Sequence, residues 1–179
     1  MKVVKTSLPT VSVLAALHQQ YHYVDAFSAV IENNGRAISI ENVGRAFFSS
    51  GPKWIDGLLE LRNMIAALFG LKTGKSDKSM QDMFEQFKCE PGERFGLFKV
   101  FSKSDHELIL GDDDKHLNFK VSLLLDKKVP DEYTLTVSTV VIFNNWFGRL
   151  YFLPVKPFHK LIVPSMVKSV VQQITTDKT

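Results

Sequence analysis

The fold is decided by Leu117-Asn-Phe-Lys-Val-Ser-Leu-Leu-Leu125 and by Tyr133-Thr-Leu-Thr-Val-Ser-Thr-Val-Val-Ile-Phe143, two runs in which apolar residues alternate with polar ones. Side chains of a strand point alternately to its two faces, so the pattern predicts strands with one buried and one polar face. The link between the runs, Lys127-Lys-Val-Pro-Asp-Glu132, is short enough to join only antiparallel neighbours. The two runs therefore predict a half-buried antiparallel sheet.

Three further stretches carry the same alternation, at residues 21–31, 95–101 and 106–111. Polar turn residues separate the later stretches, among them Asp112-Asp-Asp-Lys115. We therefore predict a first strand near the N-terminus and, from Phe95 onward, a meander of about four antiparallel strands.

Helical periodicity is found in four places. Residues 8–20 predict a short first helix, and Ser39 is a suitable N-cap for a helix over residues 39–48. Beyond Gly51-Pro52, spacings of three and four mark the most amphipathic stretch, through Trp54, Leu58, Leu61, Ile65 and Leu68. Pro157 is well placed as the first residue of a final helix. Its predicted apolar stripe comprises Phe158, Leu161, Ile162, Met166, Val170 and Ile174.

Together these elements indicate an α+β fold, in which a curved antiparallel sheet wraps around a long C-terminal helix and a pair of shorter helices follows the first strand. At 179 residues and 45% hydrophobic content, the chain can bury one good core, so we expect a single domain over residues 1–179. The 14 Phe, two Trp and four Tyr favour either a thick core or an aromatic-lined cavity.

Charge and cysteine content exclude several classes of function. The net charge is only +3, and the basic residues are interleaved with acids, so we expect no nucleic-acid partner. Cys89 is the single cysteine, which excludes an internal disulfide and a multi-cysteine zinc site and agrees with a cytoplasmic location. No apolar run reaches the roughly 20 residues of a transmembrane helix, so we expect a soluble protein without a membrane span.

Three stretches resemble a known family: Trp54-Ile-Asp-Gly-Leu-Leu-Glu-Leu-Arg-Asn63, Leu110-Gly-Asp-Asp-Asp-Lys-His-Leu-Asn-Phe-Lys-Val121 and Gly148-Arg-Leu-Tyr-Phe-Leu-Pro-Val-Lys-Pro-Phe-His-Lys-Leu-Ile162. The chain resembles a bacterial domain-of-unknown-function family, the 2867 family, which is placed in the START-like or helix-grip superfamily (polyketide-cyclase-like, SRPBCC). The likeness extends from about Asp25 to Val171. It implies a sheet that grips the last helix and often encloses an apolar pocket, but it implies no activity.

Members of that family are sometimes joined to a nucleotide-binding oxidoreductase domain. In this chain no glycine-rich fingerprint follows a predicted strand, so no dinucleotide and no other cofactor is expected.

Two histidines are candidates for acid–base chemistry. His116 follows Asp114 by two residues, and a carboxylate beside an imidazole could orient it for proton transfer or bind a metal. Alternatively, Asp112 to Asp114 form a solvated hairpin turn, and because no second histidine lies at ligand spacing we expect no metal. His159, predicted near a helix N-terminus, would stay neutral there. It could bind a ligand or join Asn144 and Asn145 in holding the corner before the final helix.

The remaining candidates could surround a bound molecule. Arg62, next to Asn63, could clamp a carboxylate or phosphate head group, although a surface arginine is the alternative. Aromatic side chains could line a pocket or simply fill the core, namely Trp54, Trp146, Phe147, Tyr151 and Phe158.

We therefore expect the chain to bind an apolar or amphipathic small molecule, lipid-like or aromatic, between the sheet and the C-terminal helix. The expected ligand-binding residues are Trp54, Arg62, His116, Trp146, Tyr151 and His159. One alternative is a cyclase- or hydrolase-like enzyme that uses His116 or His159 with Asp114. A second alternative is a cavity-free protein-interaction domain. The sequence indicates no oligomeric state.

Overall fold

The computed structural model describes residues 1–32, 35–50, 87–129 and 132–176 of the chain. Seven strands and three helical segments lie in these ranges, and both the strands and the α-helices are numbered in chain order. They are β1 (Val4–Thr6), a 3-10 helix (Val13–Gln20), β2 (Tyr23–Glu32), α1 (Ile40–Ser49), β3 (Arg94–Phe95), β4 (Phe98–Lys103), β5 (Glu107–Asp113), β6 (Leu117–Val129), β7 (Glu132–Phe143) and α2 (Trp146–Thr176).

All seven strands form one curved antiparallel sheet in the order β1-β2-β7-β6-β5-β4-β3. Strands β3 to β7 follow one another as a meander, so the predicted meander is confirmed. The predicted first strand is confirmed as β2, which pairs with β7 over its whole length, from Tyr23 opposite Val141 to Glu32 opposite Glu132. The first long strand and the last strand of the chain therefore lie side by side in the sheet.

The concave face of the sheet carries the main core. Val137 lies between Phe27 of β2 and Leu123 of β6, and all three are buried. Helix α2 crosses this face and adds Val163, Val167, Val170 and Val171 to the same cluster. The predicted period of two thus identifies the core-forming residues correctly, because alternate residues of β6 and β7 belong to this cluster, namely Val121, Leu123, Leu125, Tyr133, Leu135 and Val137.

Helix α1 confirms the predicted helix after the first strand. Ser39 is its N-cap, since its Oγ accepts a hydrogen bond of 3.1 Å from the Asn42 N–H. Gly44 allows close packing, because a Cβ atom there would meet Leu108 Cδ2 at 2.7 Å and Cys89 Sγ at 2.8 Å. The second helix of the predicted pair, around Trp54 to Leu68, lies outside the described residues.

Helix α2 is longer than the sequence predicted. We expected it to begin at Pro157, but it begins at Trp146 and contains Pro154, Pro157 and Pro164. A proline inside a helix cannot donate to the carbonyl four residues earlier. Those carbonyls belong to Leu150, Leu153 and Lys160, which are all exposed, so water can replace the missing donors.

The predicted stripe of α2 is confirmed in the second half of the helix, where Val170 is buried and Met166 and Ile174 pack against the core, but not in the first half. Phe158 and Leu161, which we placed on the buried stripe, are 40% and 63% exposed. Buried Phe152 and Val163 lie on the line that faces the sheet instead, with His159 between them. Because we placed the helix start at Pro157, the prediction omitted the first three turns of α2, where the line of residues that face the sheet begins.

The N-terminal segment packs on the convex face of the sheet. Residues 8–20 were expected to form one helix, but the structure has a 3-10 helix only over Val13–Gln20, after strand β1. Leu8 and Leu14 contact Ile109 and Val140 in a second, smaller core cluster. Proline at position 9 and the polar residues after it provide too few apolar contacts to extend the helix backward.

A buried carboxylate fastens this segment to the sheet. Glu107 Oε1 accepts hydrogen bonds of 2.5 Å from the hydroxyls of Ser12 and Ser122, and Oε2 accepts one of 3.0 Å from the Val13 N–H. Glu107 is 5% exposed. Buried polar groups are stable only when they are hydrogen-bonded, and three donors meet that need here.

Candidate functional site

A polar cluster lies on the concave face, where the rest of β2 is apolar. Asp25 belongs to the row that continues through Phe27, Ala29 and Ile31, and it is 5% exposed. Its Oδ2 accepts a 2.6 Å hydrogen bond from the Tyr23 hydroxyl and lies 3.1 Å from Nδ1 of His159. Helix α2 thus brings His159 to two titratable side chains of β2 that lie 134 and 136 residues earlier in the sequence.

The chemistry of these atoms fixes the hydrogen positions. An ionised carboxylate only accepts hydrogen bonds, so the Asp25 contact requires Nδ1 of His159 to carry a proton. In the neutral imidazole Nε2 is then the atom able to accept a proton. The pKa of Tyr23 is raised well above its usual value, first by burial and then by its hydrogen bond to Asp25 and by the negative charge of Asp25. Tyr23 therefore acts as a hydrogen-bond donor at neutral pH.

Aromatic rings enclose one side of the cluster. The Tyr23 ring meets the rings of Phe152 and His159 edge to face, at centroid distances of 4.9 Å and 5.9 Å. Phe152 also contacts Phe143 at 5.5 Å, and Lys156 Nζ lies 5.6 Å from the centre of the Tyr23 ring. Such rings supply an apolar wall beside a small number of polar atoms, as in many sites for small molecules.

Two buried polar atoms in the cluster have no hydrogen-bond partner among the described residues. They are Oδ1 of Asp25 and Oγ1 of Thr139. Asp25 and Thr139 are directly opposite each other on β2 and β7, so their side chains project side by side from the same face. An unpartnered buried polar atom costs about 1–3 kcal/mol, which makes two neighbouring ones a feature that requires an explanation.

The structure separates the predicted site residues. His116 and Asp114 lie in the turn between β5 and β6, beside the corner that leads from β7 into α2, where the Asn144 N–H donates to the His116 carbonyl oxygen. Asp114 Oδ1 accepts a 3.0 Å hydrogen bond from the His116 backbone N–H, an interaction typical of a turn. The His116 ring packs on Phe147 at 4.6 Å, and its Nδ1 lies 3.2 Å from Nδ2 of Asn145.

Asn145 joins this corner to the helix. Its Oδ1 accepts a 3.0 Å hydrogen bond from the Gly148 N–H, which makes Asn145 the N-cap of α2. Asn144 Nδ2 donates to the Asp114 carbonyl oxygen at 2.6 Å. The corner contacts proposed for His159 are thus made by His116, and His159 lies inside α2, where an argument from the helix N-terminus does not apply.

The other predicted residues have different positions. Tyr151 is buried at 9% exposure, whereas Trp146 is 73% exposed at the start of α2. Trp54 and Arg62 lie outside the described residues. Sequence reasoning missed Asp25, Tyr23 and Thr139 as site residues, although an acid inside the apolar alternation of β2 was the available signal.

Other reactive groups in the described residues do not extend the site. No three histidine, cysteine, aspartate or glutamate side chains in this part of the chain are arranged to hold a metal ion. Burial raises the pKa of the Cys89 thiol to about 11, so the thiol stays protonated at neutral pH and is a poor nucleophile. None of the helices in the described ranges has both the length and the apolar character needed to span a bilayer.

Most of the chain matches a known protein family. A family model described as "Protein of unknown function (DUF2867)" matches residues 17–166. The chain belongs to this family. The match to DUF2867 includes β2, the meander and the first two thirds of α2, and hence every residue of the Asp25 cluster.

Matches to individual proteins add little to the DUF2867 assignment. No curated protein matches the chain. A solved structure from Enterococcus faecalis, of the conserved protein of unknown function EF2215, is 15% identical, with 88% of this chain and 75% of that chain covered. Its TM-score of 0.34 is too low to support any structural argument.

Proposed function

We propose that this DUF2867 chain binds a small amphipathic molecule between the concave face of its sheet and helix α2. The bound molecule has an apolar body and a head, a hydroxyl or an amine, that donates hydrogen bonds. The neighbouring unpartnered polar atoms, the acceptor Asp25 Oδ1 and the hydroxyl oxygen Thr139 Oγ1, are the observation that carries this proposal. A START-like, helix-grip placement of the fold is part of it, and the curved sheet with its long C-terminal helix supports that placement.

The arrangement of the cluster supports this choice of head group. Oδ2 of Asp25 is already occupied by Tyr23 and His159, so the remaining charge density of the carboxylate lies at Oδ1. A donor placed there would satisfy Asp25, and the neighbouring Thr139 hydroxyl can accept or donate a second hydrogen bond. The rings of Tyr23 and Phe152 would contact the apolar body next to the head.

Two substitutions test the proposal. Native mass spectrometry of the chain purified from its host should detect a retained small molecule. Asp25→Asn should reduce its retention by roughly ten- to a hundredfold, because hydrogen bonds to charged groups contribute about 1.5–3 kcal/mol each. Thr139→Val should reduce it by roughly two- to tenfold, because a hydrogen bond to a neutral hydroxyl contributes about 0.5–1.5 kcal/mol. Thr139→Val should also stabilise the ligand-free chain by about 1 kcal/mol, since it removes an unpartnered hydroxyl.

Ser138 provides the matched control. Its hydroxyl is also buried and unpartnered among the described residues, but it lies on the opposite face of β7. Ser138→Ala should therefore leave ligand retention unchanged. A retained mass that is unaffected by both Thr139→Val and Asp25→Asn would refute the proposal. A crystal structure with a dry, fully packed interior at Asp25 would favour a cavity-free interaction domain instead.

The contact between Asp25 and His159 favours a second candidate, an enzyme that uses His159 as a general base. Asp25 would hold the imidazole so that Nε2 accepts a proton from the substrate. This pair replaces the pairing with Asp114 that the sequence suggested. His159→Gln should abolish turnover of the retained molecule in the enzyme, whereas a pure binding protein would keep the molecule unchanged over time.

A further inference from the structure

The outward side of the first half of α2 is apolar, although it lies away from the sheet. Trp146, Leu150, Leu153 and Leu161 are 73%, 47%, 64% and 63% exposed. They recur at spacings of four, three and eight residues, which places them along one side of the helix. Together with Phe158 at its margin, this apolar stripe extends over ~22 Å of the helix axis.

A row of cations borders the apolar stripe. Arg149, Lys156 and Lys160 are exposed, and their spacings of seven and four residues place them on one line beside the stripe. None of the three forms a salt bridge in the part of the chain that the structure describes. The sequence of α2, Trp146–Thr176, contains no aspartate or glutamate at all. The helix therefore presents apolar and positive groups without any compensating acid.

We propose that this side of α2 docks on an anionic membrane surface. Exposed tryptophan and leucine beside a row of lysine and arginine is the pattern of helices that lie in the plane of a lipid interface. The long cationic side chains can reach lipid phosphates while the apolar stripe enters the acyl boundary. A second copy of the chain offers no complementary charge at such a contact, because its helix is equally free of acids.

The membrane contact is reversible and does not depend on the proposed ligand. The stripe is on the side of α2 opposite His159 and the sheet, so substitutions there leave the Asp25 cluster in place. The chain next to the helix start contains Asp113 and Asp114 beside Lys115, and these acids repel anionic lipid. The attraction of α2 to anionic lipid is therefore strongest further along the helix, from Arg149 to Lys160.

Co-sedimentation of the purified chain with lipid vesicles tests the inference. Binding should occur to phosphatidylcholine vesicles that contain phosphatidylserine, should be weak with phosphatidylcholine alone, and should decrease with added salt. Neutralising the two cations of the row that do not contact the Asp25 cluster, as Arg149→Gln with Lys160→Gln, should weaken binding roughly fivefold per charge. Leu153→Ser with Leu161→Ser should weaken it by roughly tenfold or more per leucine.

Two substitutions elsewhere serve as controls. Val129 is 51% exposed and Lys128 has a 60% exposed side chain, and both lie at the end of β6. Val129→Ser and Lys128→Gln should leave vesicle binding unchanged, and circular dichroism should show that all variants are folded. In a Trp54→Phe background, fluorescence of Trp146 should shift to shorter wavelength when anionic vesicles are added.

Three results would overturn the inference. The first is no binding to anionic vesicles at low salt. This result would also be obtained if the stripe binds an acidic protein and not a membrane. The second is vesicle binding that the serine substitutions at Leu153 and Leu161 do not weaken. The third is a dimer in solution that these same substitutions dissociate, because the occupant of the stripe would then be a second copy of the chain.

Discussion

Glu107→Ala is expected to destabilise the protein by removing the acceptor that holds the N-terminal segment on the sheet. The buried carboxylate accepts hydrogen bonds from two hydroxyls and from the Val13 N–H. Truncation leaves three donors without a partner, and each orphaned donor costs about 1 kcal/mol at the lower end of the usual range. We therefore expect the free energy of unfolding to fall by ~3 kcal/mol, a large fraction of the total for a domain of this size.

Urea unfolding at neutral pH, followed by circular dichroism, measures this loss. Ser122→Ala removes one donor and orphans none, so it should cost less than about 1 kcal/mol. Glu32→Ala, at an exposed position of β2, should change stability by no more than about 0.5 kcal/mol. Amide exchange at Val13 should accelerate in Glu107→Ala. A loss no greater than that of Glu32→Ala would show that Glu107 does not anchor the segment.

Two further predictions concern the start of α2 and the buried thiol. Asn145→Ala removes the oxygen that caps Gly148 and should cost about 1 kcal/mol, whereas Asn145→Asp keeps an acceptor and should retain most of the stability in thermal unfolding. Equal losses in both variants would argue against capping. Burial raises the pKa of Cys89 to about 11 from 9.0, so the folded chain keeps a proton that the unfolded chain releases. The thiol's contribution to stability is therefore complete below pH 9 and is lost as the pH rises through 11, and the wild type should lose more stability over this range than Cys89→Ala. Parallel stability curves for the two proteins would contradict the assignment.

The sheet was largely predictable because its long strands alternate in polarity, although residues 121–125 and 135–141 prove to be buried on both faces. Residues 117–125 and 133–143 alternate strictly enough for the period of two to identify both the strands and the buried side. Strand β1 was not predictable, because its three residues are all exposed and carry no alternation. Its position depends on pairing with β2, which is a tertiary effect.

The helix start and the site were harder to predict for separate reasons. Pro154 and Pro157 suggested that the helix begins only at Pro157, and only the fold reveals that the carbonyls left free by the prolines of α2 are exposed. His159 was a candidate from the start, but its partner Asp25 is 134 residues away and no local spacing connects them. Sequence periodicity indicates which residues of one helix or strand lie on the same face. The Asp25 cluster instead combines residues of a strand and of a helix, which meet only when the helix packs across the sheet.

The pairing of β2 with β7 has a consequence for synthesis of the chain. Ten residues of β2 pair with β7, and Glu32 lies about a hundred residues before its partner Glu132. While the ribosome is still adding the meander, β1 is the one pairing partner of β2 that the described residues provide. The edge of β2 that faces β7 therefore stays unpaired until β7 has been synthesised, and unpaired strand edges are sites of aggregation.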